Sequence, residues 1–122
     1  WLEANPQVEK VIWAGVESSP WYERAQKYLP KGPGAVLGFT LKDATLEQTR
    51  NFVDALKLHS NVANIGDVRS LVIHPASTTH AQLSTEELEK IGVYPNFVRL
   101  AVGIENIDDI LADLQLGFDT LS

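Results

Sequence analysis

The sequence contains no cysteine and no methionine in its 122 residues. Without cysteine, the chain can form neither a disulfide framework nor a thiolate metal site. It also lacks an apolar run that could span a bilayer or act as a signal peptide, which favours a cytoplasmic location. An initiator methionine is normally removed only before a small residue, so the start at Trp1 indicates a fragment of a longer protein.

Basic residues are also scarce. The 10 lysines and arginines are outnumbered by 16 aspartates and glutamates, which gives a net charge of -6, and no basic cluster is present. Binding to a phosphate backbone depends on such a cluster, so nucleic acid is excluded as a class of partner. The length and the 44% of hydrophobic residues predict a single domain with its own core over residues 1–122.

Strands and helices alternate along the chain. Residues 8–16 and 34–41 are rich in β-forming residues and bounded by glycine and proline, while residues 20–29 between them have a helical composition. Two further apolar runs, 70–75 and 97–104, predict strands. The pattern therefore indicates about four strands with helices between them.

Three of the helices begin with capping signals. Thr45 is followed three residues later by Gln48, and Ser84 by Glu87, which is the pattern of a capping box. Asn106 can cap a final helix that starts with acidic residues and carries one apolar stripe. Amphipathic helices interleaved with strands predict an α+β domain, in which helices cover one face of a mixed or mostly antiparallel sheet.

Two histidines, His74 and His80, flank a hydroxyl-rich loop in the segment HPASTTH. Their spacing cannot place them on one helical face, and no neighbouring carboxylate completes a metal site, so no metal ligands are predicted. The hydroxyls of residues 77–79 beside His80 could suggest a nucleophile and base, but no nucleophile elbow frames them. Hydroxyl-rich loops usually bond their own backbone, and we expect that arrangement here.

Arg99 is a single charge in the otherwise apolar run FVRLAVGI. A guanidinium keeps its proton, so it must reach water or meet an anion. The residues alone leave two alternatives: Arg99 pairs with Glu105 or with the acidic last helix, or it binds an anionic ligand. The first is the more common arrangement for an arginine.

The segment NIGDVRSLVIHPASTTHAQLSTEELEKIGVYPNFVRLAVGIENIDDILADL closely resembles the C-terminal part of the pyridoxal-phosphate enzymes of cysteine and methionine metabolism. The resemblance extends from Trp1 to about Phe118. It implies the small C-terminal domain of a fold-type I, aspartate aminotransferase-like enzyme. The large domain, with the lysine that holds pyridoxal phosphate, would precede Trp1. No lysine of this chain has a matching context, so we expect the 122-residue chain to fold but to be inactive alone.

The same resemblance implies a substrate site without catalytic or cofactor-binding residues of its own. The arginine of the family's VRLSVGIE-like strand binds the substrate α-carboxylate, and that position is Arg99 in VRLAVGIE. Asn64 and Ile65 of NIGD take the places of a serine side chain and the following backbone group in the family's SLGG-like turn. Thr79 corresponds to a threonine that lies near the carboxylate.

Within the family, the motifs look most like the branch that acts on O-acetylhomoserine. This implies a full-length enzyme that makes homocysteine or methionine by γ-replacement with sulfide or a thiol. Another γ-synthase or γ-lyase of the family, and a non-enzymatic binding module with the same sheet, are the alternatives. The implied partners are the amino-acid substrate, the N-terminal large domain and further copies of the enzyme in a homo-oligomer.

Overall fold

The computed structural model describes residues 1–122. The chain forms five strands and four helices, which alternate except that the fourth strand follows the third directly, and two short 3-10 segments, Leu2–Ala4 before the first strand and Pro75–Ser77 after the fourth. The strands and helices are β1 (Val8–Ile12), α1 (Tyr22–Tyr28), β2 (Val36–Leu41), α2 (Leu46–Asp54), β3 (Ser60–Asn61), β4 (Leu71–Ile73), α3 (Thr85–Lys90), β5 (Phe97–Ala101) and α4 (Ile107–Asp119).

The strands form one sheet in the order β1-β2-β5-β4-β3. All neighbouring pairs are antiparallel except β3 and β4, which run parallel. The predicted α+β class and the mixed, mostly antiparallel sheet are therefore confirmed. The strand that the sequence did not reveal is β3, because a strand of 2 residues is too short to show an alternating pattern.

Helices α2 and α4 cover one face of the sheet and enclose the core. The rings of Phe52 and Phe118 meet edge to face with centroids 4.9 Å apart, and aromatic pairs of this geometry add to the energy of apolar burial. The buried core consists of Phe39, Leu41, Phe52, Val53, Val72, Val98, Leu100, Ile110, Leu114 and Phe118. Side chains alternate along a strand, so the residues between these positions point to the opposite face of the sheet.

The capping predictions are confirmed. Thr45 and Ser84 each form both halves of a capping box, and the side chain of Asn106 accepts from the amide of Asp108 at 2.8 Å. The longest helix, α4, has 13 residues. None of the helices combines the length and the apolarity that crossing a membrane would require.

The predicted boundaries near the N-terminus are too wide. The strand expected over 8–16 ends at Ile12, because the next residues form turns and the indole of Trp13 donates to the carbonyl of Gly34 at 3.1 Å. Gly34 has a φ of 91°, which does not belong to a strand, and β2 therefore starts later than residue 34. The helix expected over 20–29 runs from Tyr22 to Tyr28.

Candidate functional site

Arg99 lies at the middle of β5, on the face of the sheet that α2 and α4 leave uncovered. Its flanking residues, Val98 and Leu100, are both buried in the core, so alternation turns the guanidinium away from the helices. Arg99 is half-buried, and its Nη2 makes one long contact of 3.5 Å with the carbonyl of Asn64. None of the ion pairs in the structure includes Arg99.

Of the two alternatives for Arg99, the pairing with Glu105 or with the last helix does not occur in the structure. The carboxylate of Glu105 instead accepts from the hydroxyl of Ser70 at 2.6 Å and from its backbone amide. The hydrogen bond from the Ser70 side chain lowers the pKa of Glu105 below its usual value, so this carboxylate is held in its charged form. Arg99 therefore presents a positive charge that no acidic side chain of this chain neutralises.

The four predicted site residues lie together in one cavity of about 610 Å³, lined by Asn64, Ile65, Thr79 and Arg99 among others. They come from three separate parts of the chain: the loop before β4, the loop after β4, and β5 itself. The structure thus brings these residues into one place, and their individual roles stay predictions. A cationic group at the wall of a cavity is suited to an anionic ligand, and a planar guanidinium can bind two oxygens of a carboxylate or a phosphate at once.

The other residues that line the cavity were not predicted from the sequence. The apolar part of this lining consists of Ala63, Ile73, Pro75, Val93 and Phe97. The imidazole of His80 adds a polar group. One signal was available: Phe97 precedes Arg99 by two residues on the same strand, and period-two alternation places both on one face. Arg99 thus carries the permanent charge of a cavity whose lining includes several apolar side chains.

Asn64 and Ile65 stand in a loop with its own internal bond. The side-chain oxygen of Asn64 accepts from the amide of Ile65 at 2.9 Å. The Ile65 amide is therefore occupied in this structure, and it can contact a ligand only by exchanging that bond. The amide nitrogen of the Asn64 side chain has no hydrogen-bond partner in the protein and remains available as a donor.

The C-terminal end of the same loop, residues 68–70, is hydrogen-bonded to residues 103 and 104, which follow β5. Gly103 donates from its amide to the hydroxyl of Ser70 at 2.9 Å, and the amide of Ile104 donates to the carbonyl of Val68 at 3.0 Å. A Cβ on Gly103 would lie 2.5 Å from the backbone nitrogen of Ser70, which is closer than real side chains come. A glycine at this position is what allows the two segments to approach.

We expect Gly103→Ala to lower the free energy of unfolding of the 122-residue chain by about 1 to 3 kcal/mol, the usual cost of overpacking. The added methyl group meets backbone atoms on the loop side, so residues 68–70 have to move. Urea unfolding followed by tryptophan fluorescence measures the change. An unchanged midpoint would contradict the close approach described above.

The two histidines of HPASTTH have different surroundings. His74 is buried and its Nε2 lies 2.6 Å from the carbonyl of Pro95; burial lowers its pKa. Ser77 and Thr78 donate to the His74 carbonyl, as expected for hydroxyls that bond their own loop. His80 instead stands beside Thr79 at the cavity. No group of three acidic or histidine side chains is close enough to hold a metal ion.

A buried polar cluster around Asp113 lies away from the cavity, between α4 and the segment before β3. Asp113 accepts from the backbone amides of Lys57, Leu58 and His59 at 2.7, 2.9 and 3.0 Å, and from Nδ1 of His59 at 2.7 Å. One carboxylate thus satisfies four donors in the interior. Nothing in the spacing of these residues reveals this contact, and its part is structural.

The chain is similar to a known enzyme family over almost its whole length. The family model described as Cys/Met metabolism PLP-dependent enzyme matches residues 1–119. The O-acetyl-L-homoserine sulfhydrylase of Corynebacterium glutamicum is 54% identical over 117 residues, which cover 96% of this chain and 26% of that protein. The chain therefore spans about a quarter of the length of such relatives.

Solved structures of the family superpose on the domain as well. An O-acetylhomoserine (thiol)-lyase from Campylobacter jejuni, whose crystal structure carries a pyridoxyl-lysine monophosphate, is 39% identical with a TM-score of 0.85, over 97% of this chain and 28% of that one. A cystathionine γ-synthase from Xanthomonas oryzae in complex with cystathionine is 34% identical with a TM-score of 0.83, over 98% and 30%. The chain belongs to the family of pyridoxal-phosphate-dependent enzymes of cysteine and methionine metabolism.

Proposed function

We propose that this domain binds the α-carboxylate of an amino-acid substrate, with Arg99 as the principal donor. The observation that carries the proposal is the half-buried guanidinium that lines a cavity and has no acidic partner within the chain. Two parallel N–H groups can hold both oxygens of a carboxylate, which sets the orientation of the ligand as well as its charge. Such positioning lowers the barrier of a later step without any bond making by the domain.

The neighbours of Arg99 support the same role. Thr79 and the side-chain amide of Asn64 are donors on the wall of the cavity, and the amide of Ile65 becomes a third when its bond to Asn64 is exchanged. The apolar side chains of Ile73 and Phe97 line the wall beside these donors. The carboxylate end of the ligand would therefore be held by several polar groups around Arg99.

We infer further that the full-length enzyme replaces the acetate group of O-acetylhomoserine with sulfide, which yields homocysteine and acetate; with a small thiol in place of sulfide, methionine can result. The names of the relatives in Corynebacterium glutamicum and Campylobacter jejuni support this substrate. The alternative is another reaction of the same family, such as that of the cystathionine γ-synthase that is similar to this chain at 34% identity. Both reactions require that the domain bind the α-carboxylate of an amino-acid substrate.

The residues of this domain do not fit pyridoxal phosphate. The cavity around Arg99 has no lysine among its lining residues, and its only permanent cation is the guanidinium itself. We propose that a preceding large domain holds the cofactor and packs against the face bearing Asn64, Thr79 and Arg99. Cytoplasmic location and homo-oligomer formation stay predictions of the same proposal.

The proposal is tested by assaying the full-length enzyme with O-acetylhomoserine and sulfide, and in parallel with O-succinylhomoserine and with cystathionine. We expect turnover of O-acetylhomoserine to exceed that of the other two. Preference for O-succinylhomoserine or cystathionine would assign the enzyme to another branch, and no turnover of any amino acid would favour a binding module.

The 122-residue chain on its own is expected to leave pyridoxal phosphate unbound, because none of its lysines lines the cavity. After mixing with the cofactor and removing the excess, its visible absorbance should show no bound chromophore. Circular dichroism of the same sample checks that the chain is folded. A stoichiometric, borohydride-trapped adduct at a single lysine would contradict this expectation.

A further inference from the structure

Thr79 and His80 stand side by side in the loop after β4, and both line the cavity of Arg99. The hydroxyl oxygen of Thr79 lies 2.9 Å from Nδ1 of His80, which is hydrogen-bond distance. Thr79 is exposed, whereas His80 is half-buried. The imidazole contacts the hydroxyl directly and is therefore in a position to control its orientation.

The loop holds His80 in place through its backbone. The amide of His80 donates to the carbonyl of Pro75 at 2.9 Å, and the amide of Leu83 donates to the carbonyl of His80 at 3.1 Å. Pro75 lies two residues after Ile73, the last residue of β4 and the cross-strand partner of Arg99, so these bonds tie the loop to the end of that strand. A fixed backbone limits where the imidazole can place Nδ1.

The protons of the pair decide what the Thr79 hydroxyl can offer to a ligand. A hydroxyl has one proton and two lone pairs. If it donates to Nδ1, only lone pairs remain for the cavity, and these repel a carboxylate. If Nδ1–H donates to the hydroxyl, the proton of Thr79 is free to donate to the anion. The charge of Arg99 draws an anion to this cavity, which favours the second arrangement.

We propose that His80 is a positioning residue for the substrate carboxylate. Its Nδ1–H donates to the hydroxyl of Thr79 and so directs the Thr79 proton toward the anion bound by Arg99. The imidazole itself does not touch the substrate. The proposal rests on the carboxylate site described above, and it adds a residue that acts through Thr79.

A double-mutant cycle in the full-length enzyme tests this, with O-acetylhomoserine as the varied substrate. His80→Leu should raise KM roughly three- to tenfold, the effect of one lost hydrogen bond, with kcat changed by less than about twofold. In a Thr79→Val background, which already lacks the hydroxyl, His80→Leu should change KM by less than about twofold. A change that merely loosened the loop would raise KM in both backgrounds.

Two amide variants serve as matched controls. Asn at position 80 can place its amide nitrogen near the site of Nδ1, whereas Gln places it near the site of Nε2. We expect His80→Asn to keep KM within about twofold of the wild type and His80→Gln to behave like His80→Leu. These two variants also keep the proposal testable if the leucine variant does not fold.

Three results would overturn the proposal: an equal rise of KM for His80→Leu in both backgrounds, no rise in either, or equal KM values for the Asn and Gln variants. Arg99→Leu is measured in parallel to separate this question from the proposed function. A large loss in Arg99→Leu without any effect at position 80 overturns the role of His80 alone. No loss in Arg99→Leu overturns the carboxylate site itself.

Discussion

Replacing Arg99 with leucine in the full-length enzyme is expected to lower kcat/KM for the amino-acid substrate at least about tenfold. The substrate carboxylate would enter the cavity without its charged partner, and a hydrogen bond to a charged group contributes about 1.5 to 3 kcal/mol. Arg99→Lys should restore only part of the loss, because a point charge cannot reproduce the two-pronged geometry. Steady-state kinetics with normalisation to folded enzyme measures both variants.

The fold should survive this substitution. Arg99 takes part in no ion pair, and its one contact with Asn64 is long at 3.5 Å. The absorbance of the bound cofactor should therefore stay normal, and the melting temperature should change little. Arg50→Leu is the charge-matched control, because Arg50 is exposed on α2 and pairs only with Asp54; it should leave kcat/KM within about twofold.

The opposite result would point to a structural role. If Arg99→Leu lowers the melting temperature and leaves kcat/KM per folded enzyme nearly unchanged, the guanidinium supports the fold rather than the substrate. The occupied carboxylate of Glu105 argues against that outcome, because Ser70 already provides both of its donors.

Asp113→Ala is expected to lower the free energy of unfolding by about 3 kcal/mol or more, the usual cost of removing one partner from a buried charged cluster. Three backbone amides and the imidazole of His59 would lose their acceptor in the interior. Asp113→Asn retains one acceptor oxygen and should fall between alanine and wild type. Urea unfolding of the 122-residue chain measures these changes.

Asp109→Asn provides the matched control on the same helix. Asp109 is exposed in the first turn of α4, where it interacts only with the helix dipole. We expect a loss of less than about 1 kcal/mol. Equal effects of the Asp109 and Asp113 variants would show that the buried cluster contributes nothing beyond helix electrostatics.

Acid stability offers a separate test of the Asp113 cluster. Burial by itself raises the pKa of Asp113, but hydrogen bonds from the His59 side chain and the three backbone amides outweigh it, so the folded pKa lies below the usual value. The unfolded chain therefore takes up a proton at higher pH than the folded one. The stabilisation is fully present above the unfolded pKa of about 3.9 and is lost as the pH falls through the folded pKa.

We accordingly expect the wild-type chain to lose stability below about pH 4 more steeply than Asp113→Asn does. Glu105 also has a pKa lowered by its hydrogen bonds with Ser70, so the wild type alone cannot isolate the contribution of Asp113. The difference in unfolding free energy between the wild type and Asp113→Asn, measured across the pH series, isolates that contribution. Parallel curves would mean that the Asp113 carboxylate does not carry this pH dependence.

The sequence by itself determined those features that depend on neighbours along the chain. The capping boxes at Thr45 and Ser84 were predictable because their partners stand three residues away. The position of Arg99 inside an apolar run showed that its charge needs either water or an anion. The motifs around Arg99 and Asn64 were long enough to indicate the family, and the proposed carboxylate-binding roles of these residues rest on that resemblance.

Only the tertiary structure decided which side chains meet across the sheet. The carboxylate of Glu105, which the sequence alone left as a possible partner of Arg99, is bound by Ser70, and these two residues are 35 positions apart. The contact of Asp113 with His59 spans 54 positions, and β3 forms only because β4 lies beside it. Such contacts leave no periodic pattern in a sequence, because they arise from how packed elements meet in space. The unpaired charge of Arg99 could therefore be recognised only once the partners of the nearby acidic residues were known.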